Sequence, residues 1–138
     1  MSGVVRLSFS IEEPLYERLE ALVREGNYAN RSEFIRDMIR DRLVHNEWER
    51  DEEAVGTITL VYDHHAHGLS HKLTHLQHDY HHLILTTTHI HLDEALCAET
   101  VVVRGRATEL KRLGDLLRQQ KGVLHASLSL SSTGKNLA

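Results

Sequence analysis

Residues 5 to 11 read Val-Arg-Leu-Ser-Phe-Ser-Ile, and their alternation is strict. Val5, Leu7, Phe9 and Ile11 share one face, and Arg6, Ser8 and Ser10 the other, the pattern of a half-buried strand. No second strand pattern follows within the first 50 residues. Two helical patterns do. Ser10 and Glu13 give an S-x-x-E start with Pro14 behind it, and Leu15, Leu19, Leu22 and Val23 repeat at helical spacing up to Gly26. Asn30 and Glu33 repeat the start signal, and Ile35, Met38, Ile39 and Leu43 form the apolar stripe of a second helix reaching Trp48. A lone strand leaves its backbone groups unpaired, and two helices bury too little apolar surface. Either the strand pairs antiparallel with that of a second copy, with four helices beneath, or it joins a sheet formed later in the chain. The pattern favours the homodimer.

A charged run, Glu49-Arg50-Asp51-Glu52-Glu53, marks a boundary. Beyond it the spacing predicts a strand over 55–62, a helix over 69–82, strands over 83–92 and 96–104, a helix over 108–120 and a last strand over 123–130. This βαββαβ order is ferredoxin-like. Residues 131–138 read as a frayed tail. Hydrophobic residues make up 41% of the 138 and aromatic ones 5%, so the core must be built largely from Leu, Val and Ile.

No run of about 18 apolar residues exists to span a membrane. The first residues lack a signal-peptide pattern, and a single cysteine forms no internal disulfide. These features together predict a cytoplasmic protein. The net charge is −4, and residues 1–50 hold eight Lys/Arg against ten Asp/Glu. Bulk charge therefore speaks against nucleic-acid binding, and such a role must rest on local placement.

Ten of the twelve histidines lie between His64 and His91. Such enrichment suits metal binding, and it also suits a pH sensor. His89 and His91 stand two apart on a predicted strand, so their side chains point the same way. Cys97 follows after a segment long enough to turn back. An antiparallel hairpin would bring two imidazoles and a thiolate to one point, a plausible transition-metal site. The plainer reading makes Cys97 a small core residue and the histidines half-exposed polar groups. On the predicted helix, His71, His75, His78 and His82 lie along one stripe, and any of them could be a further ligand.

The two modules together resemble the nickel-responsive transcriptional regulators of the NikR family, a ribbon-helix-helix domain joined to an ACT-like regulatory domain. Asn30-Arg31-Ser32-Glu33-Phe34-Ile35-Arg36-Asp37 matches the family's N-R-S-E-x-I-R-D signature. Gln77-His78, His89-Ile90-His91, Cys97 and Glu99 match its Q-H…H-x-H…C-x-E pattern. The resemblance covers roughly Val5 to Leu130. It implies a ribbon-helix-helix domain over 1–49, a linker over 50–54, an ACT-like metal-binding and tetramerisation domain over 55–131 and a tail over 132–138.

It further implies one Ni²⁺ per subunit, held by His89, His91 and Cys97 of one subunit and His78 of a neighbour. Gln77 and Glu99 are expected to support the ligands by hydrogen bonds, and Tyr62 and His64 match positions near metal sites in the family. Glu33 and Asp37 match carboxylates that bind a cation in some members. In this reading the paired strands enter the major groove of an operator, with Arg6, Ser8 and Ser10 against base edges and Asn30, Arg31 and Ser32 at the phosphates. Asp79-Tyr80 interrupts a histidine run that the family often has. The implied protein is a nickel-responsive repressor of nickel uptake genes, a homotetramer on double-stranded DNA, and not an enzyme: three histidines and a cysteine leave no obvious open position for water. A regulator of the same architecture responding to another metal or small ligand is the alternative, as is a metal storage or chaperone protein that does not bind DNA.

Overall fold

The computed structural model of the chain describes residues 3–138. Backbone packing divides it into two units, 1–40 and 41–138. In the first unit, residues 3–12 form no strand within the single chain, in contrast to the strand expected over 5–11. The reason is physical: the described residues of this unit contain no second strand for it to pair with. Val5, Leu7 and Phe9, the apolar face of the expected ribbon, stay 65% or more exposed.

Helix α1 spans Glu13–Glu25 and α2 spans Arg31–Glu49. The expected Ser10–Glu13 capping box does not form. The cap residue is Glu12, without a side-chain bond, and Pro14 sits in the first turn. The stop after α1 is more elaborate than Gly26 alone. Asn27 takes the left-handed conformation (φ 56°), its N–H reaches the Arg24 carbonyl, and the Tyr28 N–H reaches that of Val23. This pair of bonds is a Schellman motif. Gly26 is needed because a Cβ there would meet the Tyr28 ring at 2.6 Å. At the start of α2, the Asn30 Oδ1 accepts the Glu33 N–H at 3.0 Å, as the cap signal predicted.

The second unit holds a four-stranded antiparallel sheet in the order β2-β3-β1-β4. The elements are β1 (Glu53–Asp63), α3 (Leu69–Asp79), β2 (Ile84–His91), β3 (Leu96–Arg106), α4 (Ala107–Arg118) and β4 (Val123–Leu130). This is the expected βαββαβ order. Helix α3 stops earlier than expected, and a 3-10 turn over His81–Leu83 carries the chain into β2 while burying Leu83. The core lies on one face of the sheet. Ile58, Leu60, Tyr62, Cys97, Val101 and Val103 meet Leu69 and Leu73 of α3 and Leu110, Leu113 and Leu117 of α4. The end of α2 joins this core through Trp48, whose Nε1–H donates to the Ser131 carbonyl at 2.8 Å. Trp48 lies over Gly56, where an added Cβ would meet its ring at 3.2 Å and the Ser129 carbonyl at 3.0 Å.

Candidate metal centre and nucleic-acid interface

Strand register assembles the candidate metal centre. In the β2–β3 pair, His91 faces Cys97 and His89 faces Glu99. In the β1–β3 pair, Tyr62 faces Cys97. Side chains two apart share a face, so His89, His91, Cys97, Glu99 and Tyr62 converge on the core side at one end of the sheet. The His91 Nδ1 stands 3.4 Å from the Cys97 Sγ. Cys97 is fully buried, so it is both a core residue and a sulfur facing imidazole. The His89 and His91 rings lie 4.9 Å apart.

A buried hydrogen-bond chain aims His89. The Tyr62 hydroxyl donates to the Glu99 Oε2 at 3.0 Å and lies 3.2 Å from the His89 Nδ1. With its proton committed to Glu99, the Tyr62 oxygen can only accept, so His89 carries its proton on Nδ1 and leaves Nε2 free for a metal. Gln77 Nε2 donates to the other Glu99 oxygen at 2.6 Å, and the Thr87 hydroxyl donates to the Gln77 Oε1 at 3.1 Å. Both oxygens of a carboxylate only 6% exposed are thus satisfied, which is what makes its burial tolerable. Burial and the neighbouring Glu99 carboxylate push the Tyr62 phenol above its ordinary pKa, so it stays a donor. Thr87, Gln77, Glu99, Tyr62 and His89 tie α3 to three strands.

Among the described residues, His64, His91 and Cys97 bring donor atoms that could hold a metal ion within 4.8 Å of one another. His64 follows β1 and is anchored twice on one carbonyl: its N–H and its Nδ1 lie 2.9 and 2.8 Å from the Ala95 oxygen. Residue-by-residue reading of the sequence missed it, and only the family resemblance placed it near metal. The signal that finds it is register, because Asp63 pairs with Leu96 and brings the residue after β1 beside the hairpin. His78 is exposed on α3 and is not in this group.

In the first unit, Arg6, Ser8 and Ser10 are exposed, as are Asn30, Arg31 and Ser32 at the start of α2. Arg31 approaches Glu20 at 3.3 Å and lies over the Tyr16 ring. The carboxylates considered for a cation already have protein partners: Glu33 accepts from Arg36, and Asp37 accepts from the Tyr28 hydroxyl. Apolar Ile11, Leu15, Leu19, Leu22, Phe34 and Met38 line a groove in this unit. No described helix is long and apolar enough to cross a membrane.

Two family descriptions match the chain in the order of its units. "Ribbon-helix-helix protein, copG family" matches residues 5–44, and "NikR C terminal nickel binding domain" matches residues 55–131. Proteins named "Putative nickel-responsive regulator" from Geobacter sulfurreducens and Solibacter usitatus are 49% and 46% identical over 138 residues, covering 99% of each chain. An uncharacterized protein of known structure from Thermotoga maritima shares the fold alone, at a TM-score of 0.52 and 18% identity over 57% of this chain and 98% of its own. A ribbon-helix-helix unit followed by a metal-binding βαββαβ unit defines a class of metal-responsive DNA-binding regulators, not of enzymes. This chain belongs to the NikR family of nickel-responsive regulators.

Proposed function

We propose that the protein is a nickel-responsive, sequence-specific repressor of nickel uptake genes, acting in the cytoplasm as a homotetramer on double-stranded DNA. One Ni²⁺ per subunit is held by His89, His91 and Cys97, with His78 of the partner subunit completing the set. The observation that carries this reading is the register of His89 and His91 beside Cys97, with the His89 Nε2 left free by Tyr62. Bound nickel would supply a Lewis-acidic centre for the imidazole nitrogens and the thiolate of these residues. Affinity alone does not select it among divalent metals, so geometry must. A site shared between subunits links metal shape to quaternary arrangement, and a metal that favours one arrangement shifts the population toward it.

The DNA reading is supported by the ribbon residues. Two copies of residues 5–11 paired antiparallel would bury Val5, Leu7 and Phe9 and turn Arg6, Ser8 and Ser10 outward, where Arg6 suits guanine and the serines either donate or accept. The free amides at the start of α2, with Asn30, Arg31 and Ser32, suit phosphate. The proposed domain limits are 1–49 for DNA binding, 50–54 as linker and 55–131 for metal binding and assembly. DNA binding measured with and without stoichiometric Ni²⁺, and in parallel with Zn²⁺, Co²⁺ and Cu²⁺, tests the proposal. Specific binding that needs Ni²⁺ is the expected result, and binding indifferent to all four metals would overturn it.

A further inference from the structure

We propose that each subunit binds a hard divalent cation, Ca²⁺ or Mg²⁺, at the end of α2, on the carboxylate of Glu47 with oxygens of Asn46, Glu52 and Asn136. None of these residues belongs to the nickel set, so the proposal stands apart from the nickel reading.

Glu47 carries the argument. It is only 4% exposed, and neither of its carboxylate oxygens has a hydrogen-bond partner among the described residues. Glu99 is about as buried, at 6%, but both of its oxygens are satisfied, by Tyr62 and Gln77. A carboxylate shielded from water is costly to keep ionised unless a countercharge accompanies it. Position sharpens the need. Glu47 lies in the last turn of α2, at the negative end of the helix dipole, and that turn holds no basic residue.

The surroundings specify the countercharge. Glu47 lines a cavity of about 310 Å³ together with Leu43, Asn46, Arg50, Glu52 and Asn136. Arg50 lines it too, yet the Glu47 oxygens have no bond to its guanidinium. The donors on offer are two carboxylates and two amide oxygens, with no imidazole or sulfur among them. Oxygen-only sets suit hard cations, whereas the softer transition metals favour nitrogen and sulfur. The donors come from three segments: the last turn of α2, the turn that follows it and the C-terminal tail. A cation there ties tail to helix beside Trp48, whose indole already bonds the Ser131 carbonyl. Glu33 and Asp37 differ in this respect, since Arg36 and Tyr28 already occupy them.

The full chain, freed of metals by a chelator, supplies the test. Tb³⁺ is a luminescent stand-in for Ca²⁺, and Trp48 is the one tryptophan of the sequence and the neighbour of Glu47. Exciting it should therefore light bound Tb³⁺, and added Ca²⁺ should quench that emission by displacement. Glu47→Gln should abolish the emission and Asn136→Ala should weaken it, while Glu33→Gln and Cys97→Ala should leave it unchanged. Thermal melting gives a second readout. With free Ca²⁺ or Mg²⁺ at about five times its dissociation constant, the wild-type midpoint should rise by roughly 4–8 °C. Glu47→Gln should lose that rise. Without cation it should melt no lower than wild type, because it keeps the bulk and removes an uncompensated charge. Sensitised emission and a cation-dependent midpoint that persist in Glu47→Gln, or that vanish in Glu33→Gln, would overturn the proposal. So would a wild-type midpoint that neither Ca²⁺ nor Mg²⁺ raises, with Glu47→Gln melting well below it, since Glu47 would then serve a protein group such as Arg50.

Discussion

The two units solve the problem of burial in opposite ways. Unit 41–138 closes on itself: Ile58, Leu60, Val101, Val103, Leu110, Leu113 and Leu117 are fully buried within one chain. Unit 1–40 has Val23 as its only buried apolar residue among those described, while Leu7, Phe9, Leu15, Leu22, Met38 and Ile39 stay half exposed or more. Patches of that kind mark surfaces that another molecule covers. The lesson is that one unit carries its core with it, whereas the other leaves its apolar side chains uncovered within one chain. The metal centre stands between these extremes. Its support is complete inside one chain, yet its proposed fourth ligand is not.

Perturbing the two cores should expose the contrast most strongly. Leu110→Ala should cost about 2–5 kcal/mol and Phe9→Ala about 3–5 kcal/mol if dimerisation buries it fully. The thermal midpoint should depend on protein concentration for the transition that Phe9→Ala weakens, and the Leu110→Ala loss should persist at every concentration. If Phe9→Ala leaves both the melting curve and the sedimentation profile unaltered, the ribbon is not a dimer interface.

Cys97→Ala comes next. It removes the sulfur donor of the proposed nickel set, so Ni²⁺ should no longer produce sulfur-to-metal charge-transfer absorption. Ligand loss should lower affinity by more than the roughly 10–100-fold typical of an outer partner. Retained absorption would mean that Cys97 is only a core residue.

Arg6→Ala should be smaller, about 1–3 kcal/mol at the operator, with relaxed discrimination at the contacted base. Equal losses on operator and random DNA would reduce Arg6 to a phosphate contact.

The smallest effect expected is one of pH. Asp51 accepts the Thr108 N–H at 2.7 Å and pairs with Arg106, and the Thr108 bonds hold its carboxyl below the usual carboxylate range. Asp93 is held low by the N–H groups of Leu96 and Ala95, which close the β2–β3 turn. A carboxyl whose folded pKa is depressed adds stability above its unfolded pKa and loses it as pH falls through the folded value. Stability should therefore fall on the acid side of pH 4, and Asp51→Asn should flatten that limb. A slope unchanged in Asp51→Asn would assign the acid sensitivity elsewhere.

These contrasts also explain how much the sequence could tell. Periodicity located all four paired strands, and β4 spans Val123–Leu130 as expected, because period-2 patterns are local. The pairing of His91 with Cys97 was legible because one hairpin closes it. His64 was not, since its approach depends on β1 lying beside β3, a contact between distant segments. The Gln77–Glu99–Tyr62 chain is equally non-local, and the family pattern hinted only at its members. The failed Ser10–Glu13 cap shows the reverse case, a local signal without the geometry it promised.

In the proposed arrangement, a chain whose metal-site support is complete still needs a neighbour to finish its nickel site. Mixing two full-length variants, His78→Ala and Cys97→Ala, tests it most directly. Neither alone should bind nickel tightly. After subunit exchange, some sites combine an intact His78 from the partner subunit with intact His89, His91 and Cys97, and tight binding with its charge-transfer band should return in part. No recovery despite demonstrated exchange, or a protein that sediments as a monomer or simple dimer at micromolar concentration, would contradict the claim.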